Sequence, residues 1–195
     1  ALILNKLSGV LRTSGKPSLS DQIYLWPAQT ASKTPMYAAF AIGQKWNAGV
    51  LLDSDKAGHD AKKKIGDLCL NAMAEDANNR FRVLMLADAA GIEKTDAGIE
   101  DLFPDDFYRD CVNEAYGLNI KPADLPTEGS DMIVARLESV LKARYGHEGL
   151  DKKRVLGMLL KRLDSWSTEE DLPGTTRVLA SALFLKINRI FNDKG

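Results

Sequence analysis

The sequence has little of what most recognisable chemistry is built from. Two cysteines and two histidines stand among 195 residues. The cysteines, Cys69 and Cys111, lie inside apolar periodic segments, which reads as two reduced thiols of a cytosolic protein and not as a disulfide framework. His147-Glu148 lacks the second histidine of a zinc helix, and nothing points His59 or His147 to a Ser-His-Asp site. The phosphate loop G-x-x-x-x-G-K-[ST], the fingerprint G-x-G-x-x-G, the elbow G-x-S-x-G and C-x-x-C are all missing. No apolar run approaches the roughly 18 residues of a membrane span, so no membrane partner is expected, and no signal-peptide pattern occurs. An excess of one charge is missing too: 26 basic against 27 acidic residues leave a net charge of −1. That balance excludes a polycation that holds nucleic acid by bulk charge, and it leaves a local basic patch open.

What is present is 45% hydrophobic and 27% charged, the composition of one soluble domain or one domain with an appendage. Such a chain buries about 70% of its unfolded surface and needs no disulfide or metal staple. Leu2, Ile3, Leu7, Val10 and Leu11 recur at helical spacing without an N-cap, as in a piece cut from something longer. Gln22 to Trp26 reads as a short β-type run closed by Pro27. Thr34-Pro35 starts a helix expected to reach about Asn47, with threonine as cap. Ala48 to Leu52 and Phe81 to Leu86 read as strands buried on both faces. Between them, 57–76 reads as a helix with Ile65, Leu68, Cys69, Ala72 and Met73 inward. Strands alternating with helices predict an α/β fold with a parallel sheet flanked by helices. Residues 88–98 read as a polar loop, Pro104 to Tyr116 as a helix stopped by Gly117, and 118–129 as a connector. Helices are expected near 130–145, 151–163 and 174–192, which places the α/β part in 1–117 and a C-terminal helical segment in 118–195.

The chemistry on offer is acidic. Asp53-Ser54-Asp55-Lys56-Ala57-Gly58 follows the strand AGVLL. Two carboxylates at the carboxyl end of a parallel strand project into the crevice where α/β proteins bind ligands. Hard oxygens clustered there suit Mg²⁺ or Mn²⁺. The plainer reading is a pair that caps the next helix. Glu100 and Asp101 precede a helix whose first turn holds Asp105 and Asp106, and all four acids complement its positive end. Lys152, Lys153 and Arg154 open a helix, where cations oppose the macrodipole unless an anion such as phosphate is gained; a solvated basic turn is the alternative. Lys62-Lys63-Lys64 reads as a solvated helix face, Trp26, Trp46 and Trp166 as core or interface, and His59 as a surface histidine.

The stretch YLWPAQTASKTPMYAAFAIGQKWNAGVLLDSDKAGHDAKKKI resembles the core of a Toprim domain, with Asp53 and Asp55 in its Asp-x-Asp motif. The later GIEDLFPDDFYRDCVNEAYG resembles the segment that follows the Toprim strands in the OLD-family (overcoming lysogenization defect) ATP-dependent endonucleases. The resemblance covers about 20–117. It implies a catalytic-region fragment of a DNA endonuclease that hydrolyses phosphodiesters at two Mg²⁺ or Mn²⁺ ions, and a cytoplasmic protein. Asp53, Asp55 and Glu100 would bind metal, with Asp101 as the substitute for Glu100. It places a transition-state-stabilising lysine near 152, where K-x-x-V selects Lys152 and then Lys153. Lys56, Lys153 and Arg154 are the expected DNA contacts. The implied partners are DNA, an ATPase domain upstream in the same parent chain, and a possible second copy in a homo-oligomer. The family's first strand and its Glu-Gly motif would precede Ala1, so an incomplete site and a catalytically crippled polypeptide are expected. Two readings stand beside this one. One is a non-catalytic Toprim-like module that binds DNA or docks a partner. The other is small-molecule phosphoryl transfer of the haloacid-dehalogenase kind, against which Ala57 counts, since a threonine or similar residue is wanted there.

Overall fold

The computed structural model describes residues 1–71 and 81–192. The expectations for Ala72, Met73 and the Cys69 side chain lie outside the described residues. The chain is mixed α/β, with eight α-helices around a two-stranded parallel sheet among the described residues. None of these helices is long and apolar enough to cross a membrane.

Helix α1 (Leu2–Thr13) forms where the periodicity puts it, with no side-chain N-cap and with Leu7 and Leu11 fully buried. The stretch Gln22–Trp26 is not a strand; Tyr24 and Trp26 stand 82% and 69% exposed. β-propensity acts through packing on a neighbouring strand, and no described strand lies beside it. Helix α2 (Thr34–Gly43) starts one residue earlier than a threonine cap requires, with Lys33 in the cap position and Thr34 Oγ1 donating to the Thr30 carbonyl at 3.1 Å. It stops short of Asn47 because Lys45 takes a left-handed φ of 56°.

Strand β1 (Ala48–Leu52) leads through α3 (Lys56–Asn71) to β2 (Phe81–Met85), and the strands pair in parallel, Ala48 opposite Phe81 and Leu52 opposite Met85. Neither strand is buried along its length; only Leu52, Phe81 and Met85 are fully covered. One face of the sheet packs on the small cluster through Ala48, Val50 and Val83, and the other meets the large cluster through Leu51 and Leu84, but two strands are too narrow for either layer to cover them fully. The short helix α4 (Leu86–Ala90) follows β2 directly, where a polar loop was expected from residue 88. Its five residues are too few for a period to show.

Helices α5 (Asp105–Tyr116), α6 (Ile133–Tyr145), α7 (Lys152–Asp164) and α8 (Gly174–Asn192) match the predicted segments within a few residues. Gly117 ends α5 at a φ of 67°, a conformation that glycine adopts without penalty. The apolar side chains form two clusters. The larger joins α1 to α4–α8 through Leu7, Leu86, Cys111, Leu137, Leu159 and Phe184. The smaller joins α2, α3 and the sheet through Ala38, Leu52, Ile65 and Phe81. The clusters therefore do not divide at residue 117, since α1 shares its core with the C-terminal helices.

Candidate functional site

The seam between the two clusters carries the acids. Successive side chains past β1 alternate in direction, and Ser54 is the buried one, between exposed Asp53 and half-buried Asp55. Ser54 forms an isolated antiparallel bridge with Ala97, its N–H donating at 2.7 Å and its carbonyl accepting at 2.9 Å. Its Oγ also accepts the Ala87 N–H at 2.9 Å, at the start of α4. The two bonds to Ala97 bring the 3₁₀ turn Ile99–Leu102 alongside the end of β1, and the third ties α4 to Ser54. Asp55 Oδ1 accepts the Gly58 N–H at 2.7 Å and so caps α3, the plainer role foreseen for it. Gly58 is required by space: a Cβ there would lie 1.8 Å from the Asp53 carbonyl oxygen.

Glu100 comes from the turn and is 7% exposed. Its Oε1 lies 3.3 Å from Lys152 Nζ, and its Oε2 is buried with no hydrogen-bond partner. A Cβ on Gly98 would stand 2.9 Å from that oxygen, so a glycine there makes room for it. Although Asp53 is exposed as a residue, its carboxyl is pushed up to about 6. Desolvation on its protein side is the main cause; the Glu100 carboxylate adds to it, Lys152 opposes it, Asp55 adds further, and the Ile99 N–H favours the ionised form. Asp53, Asp55, Glu100 and Lys152, chosen from three separate segments, thus share one electrostatic neighbourhood.

Asp101 does not join them. Its side chain is fully buried and accepts from Lys94 Nζ at 2.6 Å, the Gly98 N–H at 2.9 Å and the Ile133 N–H at 3.2 Å. Both of its oxygens are engaged, Oδ2 within the turn and Oδ1 in tying the turn to Lys94 and α6, which is a structural use. Asp105 does more than complement a dipole, pairing with Lys94 at 3.0 Å and Arg136 at 2.8 Å. At the start of α7, Asp151 accepts the N–H groups of Lys153 and Arg154, and its own N–H donates to Tyr116 Oη at 2.6 Å. Arg154 lies over the Tyr116 ring at 4.7 Å. Lys56 and Lys153 are exposed, as are His59 and the Lys62–Lys64 face. Of the tryptophans, Trp166 packs against Phe107 at 5.4 Å, whereas Trp26 and Trp46 are on the surface and not in the core.

Sequence reasoning missed Ser54, Gly98, Lys94 and Asp151 as the residues that set this geometry. Gly98 left a signal, a glycine two positions before a candidate acid, and Asp151 another, an acid at the cap of a predicted helix. Among the described residues no group of three or more His, Cys, Asp or Glu is assembled to hold a metal ion. The donor set nevertheless suits a hard divalent cation: carboxylate oxygens, one of them buried without a partner. No family profile, no curated protein and no solved structure matches the chain.

Proposed function

We propose that this chain carries the acidic site of a metal-dependent DNA endonuclease of the Toprim type, in a catalytic region like that of the OLD family. The observation that carries the reading is the orphaned, buried Glu100 Oε2 in a neighbourhood shared with Asp53, Asp55 and Lys152. A buried carboxylate oxygen without a donor is costly, and sites retain such groups where a ligand satisfies them. Asp53 and Glu100 would hold Mg²⁺ or Mn²⁺, with Asp55 contributing beside its capping bond. A bound divalent ion would supply Lewis-acid polarisation of a phosphodiester and an activated water. Lys152 places positive charge next to the same acids, and exposed Lys56, Lys153 and Arg154 suit phosphate contacts that position DNA.

Calorimetric titration with Mn²⁺ tests the reading. The chain is expected to bind Mn²⁺ weakly, and Asp53→Ala to abolish the binding; identical isotherms would overturn the site. Mn²⁺-dependent nicking of supercoiled plasmid, slow in the wild type and lost in Asp53→Ala, would place the chain among nucleases. Retention of plasmid by both proteins with no cleavage by either would instead favour a module that binds DNA without cutting it.

A further inference from the structure

We infer that Lys152 is the resident counter-cation of the acidic site, and that a divalent ion and Lys152 exchange on Glu100. The inference rests on the metal reading above and adds what happens in the metal-free protein.

Glu100 is almost wholly removed from water, and among the described residues the only cation in contact with it is Lys152 Nζ, 3.3 Å from one of its two oxygens. The Lys152 side chain itself is 53% exposed, so its ammonium reaches inward from a solvated stem. Its place at the first residue of α7 is unfavourable by the helix macrodipole, and the ion pair with Glu100 is what it gains there. One ammonium carries a single charge against three carboxylates, and it leaves Oε2 without a donor. A divalent ion on Glu100 and Asp53 would supply the missing charge and would repel Lys152. The flexible four-carbon stem lets the ammonium move out to water, on the side from which a phosphodiester would arrive. Lysine would then be free for a phosphate only when metal is in place, so the two requirements for cleavage are met together. Lys153 provides the internal comparison, since it carries the same charge one residue further on and pairs with no acid among the described residues.

The test uses Mn²⁺ titrations of the wild type, Lys152→Met and Lys153→Met at about 0.15 M salt. Exchange predicts an affinity gain of about tenfold for Lys152→Met, from removal of a charge in contact with the acid. Lys153→Met is expected to change affinity by less than about threefold, because its field is screened. A second readout needs no Lys152 variant: acetylation of Lys152, followed by mass spectrometry, is expected to rise several-fold on adding Mn²⁺ to the wild type and to stay constant in Asp53→Ala. Equal Mn²⁺ affinities in the wild type and both variants, or acetylation indifferent to Mn²⁺ in a protein that binds it, would overturn the exchange and leave the metal site standing. Absence of Mn²⁺ binding in all three proteins would overturn both.

Discussion

Glu100 and Asp101 are adjacent and equally withdrawn from water, at 7% and 4% exposed, yet their bonding differs completely. Asp101 has an ammonium and two backbone N–H groups, whereas Glu100 has one ammonium at 3.3 Å and an unused oxygen. Stability is therefore expected to separate them. Asp101→Ala leaves Lys94 and two buried N–H groups short of an acceptor, and is expected to cost about 3–5 kcal/mol in urea denaturation. Glu100→Gln removes a poorly compensated buried charge and is expected to change stability by less than about 1 kcal/mol, with a gain the favoured sign. Equal losses in the two variants would show that Glu100 is as structural as its neighbour. The sequence made both acids conspicuous but could not sort them. The partner that commits Asp101, the Ile133 N–H, lies in a different helix and is brought close only by the fold.

At the scale of elements, the turn from β1 into α3 is tightly closed. Asp55 caps α3 through the Gly58 N–H, and the same approach leaves no room for a side chain at Gly58. Its neighbour is backbone, which cannot swing away as a side-chain end can. Gly58→Ala is accordingly expected to cost about 1–3 kcal/mol or more in denaturant unfolding, the range of forced overpacking. A neutral result would mean that the turn relaxes freely. Elements were legible where one chain segment determines them. The apolar period of α1, the Pro104 and Gly117 bounds of α5 and the apolar run of β1 predicted their places within a few residues. Features that depend on a neighbour were not. Gln22–Trp26 has strand-forming residues and no described strand to pair with, α4 is shorter than any detectable period, and α2 ends at a left-handed lysine that its composition does not announce. The Asp-x-Asp at the end of β1 was legible as a candidate site because strand and acids are contiguous. Its union with Glu100 was expected only through the family resemblance, because the Ser54–Ala97 bridge that makes it is invisible in one dimension.

For the whole molecule, the sharing of one core by α1 and the C-terminal helices sets how it unfolds. Leu7→Ala is expected to cost about 2–5 kcal/mol, and its melting curves by circular dichroism and by tryptophan fluorescence should coincide. Met36→Gln, on the uncharged outer face of α2 and 61% exposed, is expected to stay within about 0.5 kcal/mol of the wild type. Two separated transitions in Leu7→Ala would show that the helical part melts on its own. The acids themselves straddle the seam, Asp53 and Asp55 on the side of the small cluster, Glu100 and Lys152 on the side of the large one. In mechanical terms that seam is a clamp under load. Mutual repulsion of the carboxylates pushes its jaws apart, while two backbone bonds and one serine hydroxyl hold them closed. Any cation that enters between the jaws turns the opening force into a closing one, so the same acids that loosen the molecule when empty would tighten it when filled.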